Sequence, residues 1–169
     1  KIETTRMIFR RRCRESDYVL TQAGAMLKQV HAGTLPFDRT MRISTAEENA
    51  KEKIARRIPY NLNTLDKLLA LNRADWESIG SPRSAEAPAI DADVLAETSQ
   101  RIATRRRKMA ALTEELSLRT GKIIPLFKKI RSIAKKMNEL ASDLRRAERF
   151  PRKYDHEDVA VMNEELAGL

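Results

Sequence analysis

A seven-residue repeat of apolar side chains runs through the second half of the chain and limits the folds that are open to it. Its first core position recurs without a slip as Leu95, Ile102, Met109, Leu116, Ile123, Ile130, Met137 and Leu144. Its second core position reads Thr98, Arg105, Leu112, Arg119, Leu126, Ile133, Leu140 and Ala147, so thirteen of the sixteen positions are apolar. Such a repeat places one apolar stripe along a helix, and the stripe has to be buried against other helices or a partner.

The composition agrees with a helical fold. The chain has 169 residues, of which 34% are charged, 5% are aromatic and only five are glycine. These values are typical of helical proteins and not of β-sandwiches or barrels. A chain of this length fits one domain with a sizeable core. We predict an all-α helical bundle that forms a single domain over residues 1–169.

The net charge and the cysteine content indicate the kind of partner and the cellular compartment to expect. A formal charge of +9 indicates a polyanionic partner, either nucleic acid or an acidic protein face. A single cysteine, Cys13, excludes an internal disulfide framework and favours a reducing compartment, so we expect a cytoplasmic protein. No run of about 18 apolar residues is present, so no membrane span is predicted. The sequence starts at Lys1 within a helical pattern, and we expect a fragment of a longer protein.

The first half of the sequence predicts three helices. Apolar residues at helical spacing predict the first from the amino terminus to about Ala32, with Gly33 as its cap and the face Ile2, Phe9, Cys13, Leu20, Ala23, Leu27 and Val30. A loop over 33–44 follows, with Leu35 and Phe37 as the expected core anchors. A capping box, Ser44 with Glu47 or Thr45 with Glu48, predicts the start of the second helix. That helix should stop before Pro59, and Asn61 or Asn63 should cap a third that ends at Gly80.

The remainder of the chain is predicted to be a connector followed by the heptad helix. Residues 81–91 have the composition of a flexible connector. Because the seven-residue phase continues past Pro125, we expect one helix of about 80 Å that is kinked there, with a break at the proline as the alternative. Pro151 should end this helix. A short closing helix from about Asp155 should bury Val159, Met162 and Leu166.

Basic residues form three groups that are candidates for contact with DNA phosphates or with an acidic protein. The third group lies between Glu115 and Glu139 and contains seven cations and no acid. A solvated helix face is the alternative interpretation of each group. The candidate contact residues are Arg10, Arg11, Arg14, Arg106, Arg107, Lys128 and Lys129.

Other conspicuous residues are better explained by packing. Arg105 and Arg119 occupy core positions, so they either extend past a thin part of the core or pair with acids such as Asp66, Asp75 or Glu77. Trp76 lies at helical spacing from Leu69 and is expected in the core, although a tryptophan can also stack on a base.

The sequence contains none of the catalytic motifs that would indicate an enzyme. His31 and His156 are far apart along the chain, and no HExxH, CxxC, GxSxG or phosphate-binding glycine loop occurs. We therefore expect no enzyme activity, no cofactor and no metal site.

Three blocks of the sequence resemble one protein family. They are VHAGTLPFDRTMRIS at residues 30–44, RRIPYNLNTLDKLLALNRADW at residues 56–76 and RRRKMAALTEELSLRT at residues 105–120. In this order they resemble primary sigma factors of bacterial RNA polymerase, most closely those of planctomycete type. The opening KIETTRMIFRR is similar to the end of region 1.2 of that family. The resemblance extends to about Ala147 and matches the non-conserved domain that precedes region 2.

The resemblance implies a role in transcription initiation. In the family this domain is helical, packs beside region 2 and approaches the β′ subunit of core polymerase and DNA near the minus-ten element. Arg10, Arg11 and Arg14 lie closest to the part that resembles region 1.2, which approaches promoter DNA. The sequence lacks an NLRLV or AKKY-type run and the aromatic-rich segment that reads the minus-ten element, so we expect a scaffold, monomeric as a fragment, that does not direct transcription by itself. The alternative is a coiled-coil interaction module that oligomerises through the heptad stripe.

Overall fold

The computed structural model describes residues 4, 8, 11–43, 49–79 and 91–168. Within these ranges the chain is helical and contains no β-strand, so the predicted all-α helical bundle is confirmed. The helices are α1 (Asp17–His31), α2 (Phe37–Thr40), α3 (Ala50–Ser78), α4 (Ala92–Glu115), α5 (Thr120–Arg149) and α6 (His156–Gly168), with a 3-10 turn at Pro151–Lys153 between the last two.

The main core lies between α1, α3 and α4, which pack against one another, and the beginning of α5 closes it beside α1. Its buried side chains come from all four of these helices and from two short connections. They are Leu20, Ala23, Leu27, Val30, Met41, Ile58, Leu62, Leu65, Met109, Leu116, Leu118 and Ile123.

The predicted first helix is interrupted. Residues 11–14 are helical, Glu15 and Ser16 form a turn, and α1 begins at Asp17. The predicted buried face is confirmed from Leu20 to Val30, whereas Ile2 and Phe9 lie outside the described residues. Gly33 follows the helix with φ of 76°, the left-handed conformation that glycine adopts at helix ends, as predicted.

The loop after α1 returns to the core. Leu35 and Phe37 are half-buried against it, which confirms them as anchors. The capping-box residues Ser44, Thr45, Glu47 and Glu48 lie outside the described residues.

The predicted break before Pro59 is wrong, because α3 runs through this proline as one helix of 29 residues. Ile58, Leu62 and Leu65 are buried on both sides of Pro59. Each side chain of this size gains roughly 1.5–3 kcal/mol on burial, so together they outweigh the ~3 kcal/mol cost of a helical proline. Asn61 lies inside the helix and donates to the Leu112 carbonyl of α4 at 3.1 Å instead of capping a new helix.

The prediction of a single long heptad helix is also wrong. The chain leaves the helix after Glu115 and re-enters it at Thr120, and Ser117 between them has φ of 52°. The Arg42 N–H donates to the Ser117 carbonyl at 2.7 Å, and the Arg119 N–H donates to the Thr40 carbonyl at 2.9 Å. The segment after α2 thus binds backbone groups that the interrupted helix leaves without intrahelical partners.

The break lies upstream of Pro125, which is inside the second turn of α5. Proline lacks the N–H that would bond to the carbonyl of Gly121, four residues earlier, and the helix continues past it despite that loss. Ile123, two residues before the proline, is 5% exposed and packs into the main core. Burial of this turn holds the first part of α5 in place.

Beyond the main core, α5 and α6 form a helical hairpin. Helix α5 ends at Arg149, just before Pro151, as predicted. Leu140 and Ala147 of α5 are buried, and α6 packs against this part of α5. Of the three residues of the closing helix that were predicted to be buried, Leu166 is buried, whereas Val159 and Met162 are only half-buried. The connector predicted at 81–91 lies outside the described residues except for Asp91, whose side chain caps α4 by accepting the Asp93 N–H at 3.1 Å.

Candidate functional site

The arginines before α1 are only partly available for a partner. Arg10 lies outside the described residues. Arg11 is exposed and lies 3.9 Å from Glu15. Arg14 is mostly buried and pairs with Glu114 of α4. Arg14 therefore joins two parts of the bundle, and Arg11 is the freer of the two.

The arginines of the second basic group, in α4, also differ in whether they are available for a partner. Arg106 donates through Nη2 to Asp17 of α1 at 2.6 Å. Arg107 is exposed and makes no ion pair with another described residue. The structure thus places Arg106 in an ion pair that holds α1 against α4 and Arg14 in one that holds the segment before α1 against α4, and it leaves Arg107 on the surface.

The third group gives α5 a basic outer surface. Lys122, Lys128, Lys129 and Arg131 are exposed, and none of them forms an ion pair within the described part of the chain. We call these four residues the α5 strip. Their positions in the heptad frame lie off the apolar stripe, which includes Ile123 and Ile130. Among the described residues, the strip is the largest group of predicted cations that stays free of acidic partners.

The neighbouring cations of the third group are occupied. Lys135 lies 3.6 Å from Glu139, and Lys136 reaches Glu165 of α6 at 3.0 Å. The sequence suggested that Arg119 either pairs with an acid or extends past the core, and in the structure it does neither. Its guanidinium donates to the backbone carbonyls of Met41 at 3.0 Å and Asp38 at 2.8 Å, which fastens the turn between α4 and α5.

A polar network joins α1, α3 and α4. Arg105 donates to Asp75 at 2.6 Å, which is one of the two arrangements that the sequence left open, and to the side-chain oxygen of Asn72 at 3.3 Å. Asn72 in turn donates to Asp17 at 3.0 Å. Arg101 makes a second contact with Asp75 at 3.3 Å.

Asn72 is the residue that the sequence interpretation missed. It is 2% exposed and lies seven residues after Leu65 and seven before Ile79, both of them buried. A polar residue at a position that the apolar spacing of α3 marks as buried was therefore the sequence signal that could have identified Asn72. Hydrogen bonds from Arg105, followed by those from Arg101, hold the pKa of Asp75 below its usual range.

Trp76 is not a core residue, contrary to expectation. Its side chain is 49% exposed and lines a groove of about 510 Å³. Trp76 lies four residues after the buried Asn72 and three before the buried Ile79, so it shares their face of α3, yet the neighbouring helices leave about half of its side chain uncovered. We call this cavity the Trp76 groove. It is lined by Asp17, Thr21, Asp66, Leu69, Ala70, Asn72, Arg73, Trp76 and Arg106.

Titratable groups suited to metal binding do not cluster. In the described ranges, no three His, Cys, Asp or Glu residues are placed to hold a metal ion. Cys13 is half-buried, and burial raises the pKa of its thiol.

Comparison with known proteins identifies no relative. No protein-family model, no curated protein and no solved structure matches this chain. Across the helices that the structure describes, none is both long and apolar enough to cross a membrane.

Proposed function

We propose that this chain is part of a primary sigma factor and acts in transcription initiation in the cytoplasm. In this proposal it is a non-catalytic helical scaffold that contacts core RNA polymerase, while its basic surface assists contact with promoter phosphates. The resemblance of three sequence blocks supports the family, and the α5 strip is the observation that carries the phosphate contact.

The three resembling blocks meet in one core. Met41 of the first block, Leu62 and Leu65 of the second, and Leu116 and Leu118 of the third are all buried in the same cluster. The three blocks therefore contain core residues that a protein with the same fold would also require. The resemblance bears on the scaffold more than on the surface that a partner would touch.

The α5 strip has the charge and exposure that phosphate contact requires. Over residues 116–138 no acid is present, so the strip has no neighbour of opposite sign within its own stretch of chain. Exposed cations pair with phosphates and release counterions, so each contact adds affinity that rising salt removes. The backbone of duplex DNA provides such phosphates at any sequence.

Salt-dependent binding to duplex DNA tests this contact. We expect the double substitution Lys128→Gln/Lys129→Gln to flatten the plot of log affinity against log salt by about 1.8, because each lost phosphate contact removes about 0.9 from the slope. The matched control is Arg57→Gln/Lys67→Gln, which removes two exposed charges from α3. Equal slopes for the wild type and the strip variant, or equal flattening by the control, would contradict a specific role of the strip.

The coiled-coil alternative has one observation in its favour. Leu126, Ile130, Ile133, Met137 and Leu144 of α5 are only half-buried, so their stripe could still accept a second copy. Against it, Ile102, Met109, Leu116 and Ile123 are already buried within the chain. Sedimentation equilibrium at micromolar concentration decides between them: the scaffold proposal expects a monomer, and a dimer would favour the coiled-coil module.

A further inference from the structure

We propose that the Trp76 groove binds an unpaired nucleotide of single-stranded nucleic acid, with the base against Trp76 and a phosphate at Arg73. This site goes beyond the function proposed above. Contact between the α5 strip and phosphates requires only the outside of a duplex, whereas the Trp76 groove requires an exposed base.

The aromatic surface is the first observation. Trp76 lines the groove beside Leu69 and Ala70, and about half of its side chain is exposed. A large apolar ring left in this position provides a stacking surface for any base. Stacking of a base on an aromatic side chain strengthens binding roughly 5- to 150-fold in proteins that bind single strands.

The charge beside the ring is the second observation. Arg73 precedes Trp76 by three residues on α3, so the two side chains are neighbours on the helix surface. Arg73 is exposed and makes no ion pair with a described residue. Arg106 also lines the groove, but its guanidinium is committed to Asp17 at 2.6 Å. Arg73 is therefore the guanidinium of the groove that is left to bind a phosphate.

The acids of the groove are already compensated. Asp17 accepts from Arg106 at 2.6 Å and from Asn72 at 3.0 Å. Asp66 pairs with Lys28 at 2.9 Å. Because both carboxylates have partners within the bundle, the uncompensated charge of the groove is that of Arg73. A ring next to an unpaired cation matches a base with its phosphate, and an acidic peptide would match the cation but not the ring.

Trp76 is the sole tryptophan of the chain, so its fluorescence reports on the groove directly. The probes are an oligo(dT) and an abasic oligodeoxynucleotide of equal length and equal phosphate number. We expect oligo(dT) to quench Trp76 saturably and the abasic strand to leave its fluorescence nearly unchanged. Equal quenching by the two strands, or none by either, would overturn the proposal.

Two sets of variants locate the binding site. Arg73→Gln should weaken oligo(dT) binding about tenfold, as expected for loss of a charge-assisted hydrogen bond. The control Lys67→Gln removes an exposed charge from α3 outside the groove and should leave affinity unchanged. With labelled oligo(dT) and anisotropy as the readout, Trp76→Leu should weaken binding about tenfold and Trp76→Phe should restore most of it. Equal losses with Arg73→Gln and Lys67→Gln would contradict the site.

Two further measurements separate this proposal from its rivals. A glutamate-rich peptide that binds more tightly than oligo(dT) and competes with it at the groove would overturn the nucleotide assignment in favour of a protein partner. The strip variant Lys128→Gln/Lys129→Gln should keep the quenching of Trp76 by oligo(dT) while its binding to duplex DNA becomes less salt-dependent. The nucleotide site and the phosphate-contacting strip can therefore fail independently.

Discussion

Gly24 lies where α1 comes close to α3. A methyl group added at this position would meet Cδ2 of the buried Leu65 at 3.0 Å, so a larger side chain has to displace core atoms. Gly24→Val should lower the free energy of unfolding by about 1–3 kcal/mol through overpacking. The control Ala25→Val, at the next and exposed position of α1, should lower it by about 0.7 kcal/mol or less. Urea denaturation measures both values, and equal losses would show that α1 and α3 do not pack closely at Gly24.

Asp75 makes stability depend on pH in a defined direction. Its pKa is lowered in the folded protein, chiefly by Arg105. The stabilisation of the folded state by ionised Asp75 is therefore fully present above the unfolded-state pKa of about 3.9. It is lost as the pH falls through the folded-state pKa. Asp75→Asn should lower Tm at pH 7, and the difference from the wild type should shrink as the pH falls below the unfolded-state pKa of about 3.9.

A matched carboxylate provides the control for Asp75. Asp66 pairs with Lys28, and both side chains are about half exposed, so Asp66→Asn should change Tm little at either pH. Thermal melts of the two variants across this pH range provide the measurement. A Tm difference for Asp75→Asn that does not vary with pH would contradict the charged network.

Sequence interpretation at the residue scale succeeded where the apolar period was decisive and failed where the buried register contained a polar residue. Leu20, Leu27 and Leu65 are buried as their spacing predicted. Trp76 was misplaced because it lies four residues after Asn72 and three before Ile79, both of them buried, so the period by itself predicts a core position. Asn72 was missed because Asp17 and Arg105, which bind its side chain, make its burial possible. Those partners come from other helices, so the sequence of α3 could not reveal them.

At the element scale, the turn between α4 and α5 depends on Ser117. Its φ of 52° lies in the left-handed region, which costs a residue with a side chain about 1–2 kcal/mol and costs a β-branched residue more. Ser117→Val should therefore lower the free energy of unfolding by about 1–2 kcal/mol, and Ser117→Gly should match the wild type or exceed it. Chemical denaturation of the pair provides the test, and a Ser117→Val variant as stable as Ser117→Gly would contradict a left-handed residue here.

The heptad repeat predicted burial correctly at Ile102, Met109, Leu116 and Ile123 but not at Leu95, which is 39% exposed, and it predicted one continuous helix incorrectly. Leu116 and Ile123 keep the seven-residue phase on either side of the turn because both point into the same core, not because one helix connects them. The signal for the turn lies far away in sequence, in the backbone bonds between Thr40–Arg42 and Ser117–Arg119. Pro59 misled in a similar way, since tertiary packing holds the helix around it, whereas the predicted continuation of the helix past Pro125 is confirmed.

At the scale of the whole molecule, positive charge is divided between structure and surface. Arg14, Arg105, Arg106 and Arg119 bind acids or carbonyls of neighbouring segments and hold the bundle together. The α5 strip remains exposed, on a helix that continues beyond the main core for about 33 Å after Phe127. Sequence analysis identified the basic groups, but it could not separate these two uses, because the separation depends on which acids the fold brings close.

Direct binding to a planctomycete core RNA polymerase tests the central claim. With the chain immobilised, the sigma-factor account predicts saturable binding of core polymerase that an intact primary sigma factor displaces. The variant Lys128→Gln/Lys129→Gln shows whether the α5 strip contributes to that contact. A folded chain that fails to bind core polymerase saturably, or binds it without displacement by the intact sigma factor, would contradict the account.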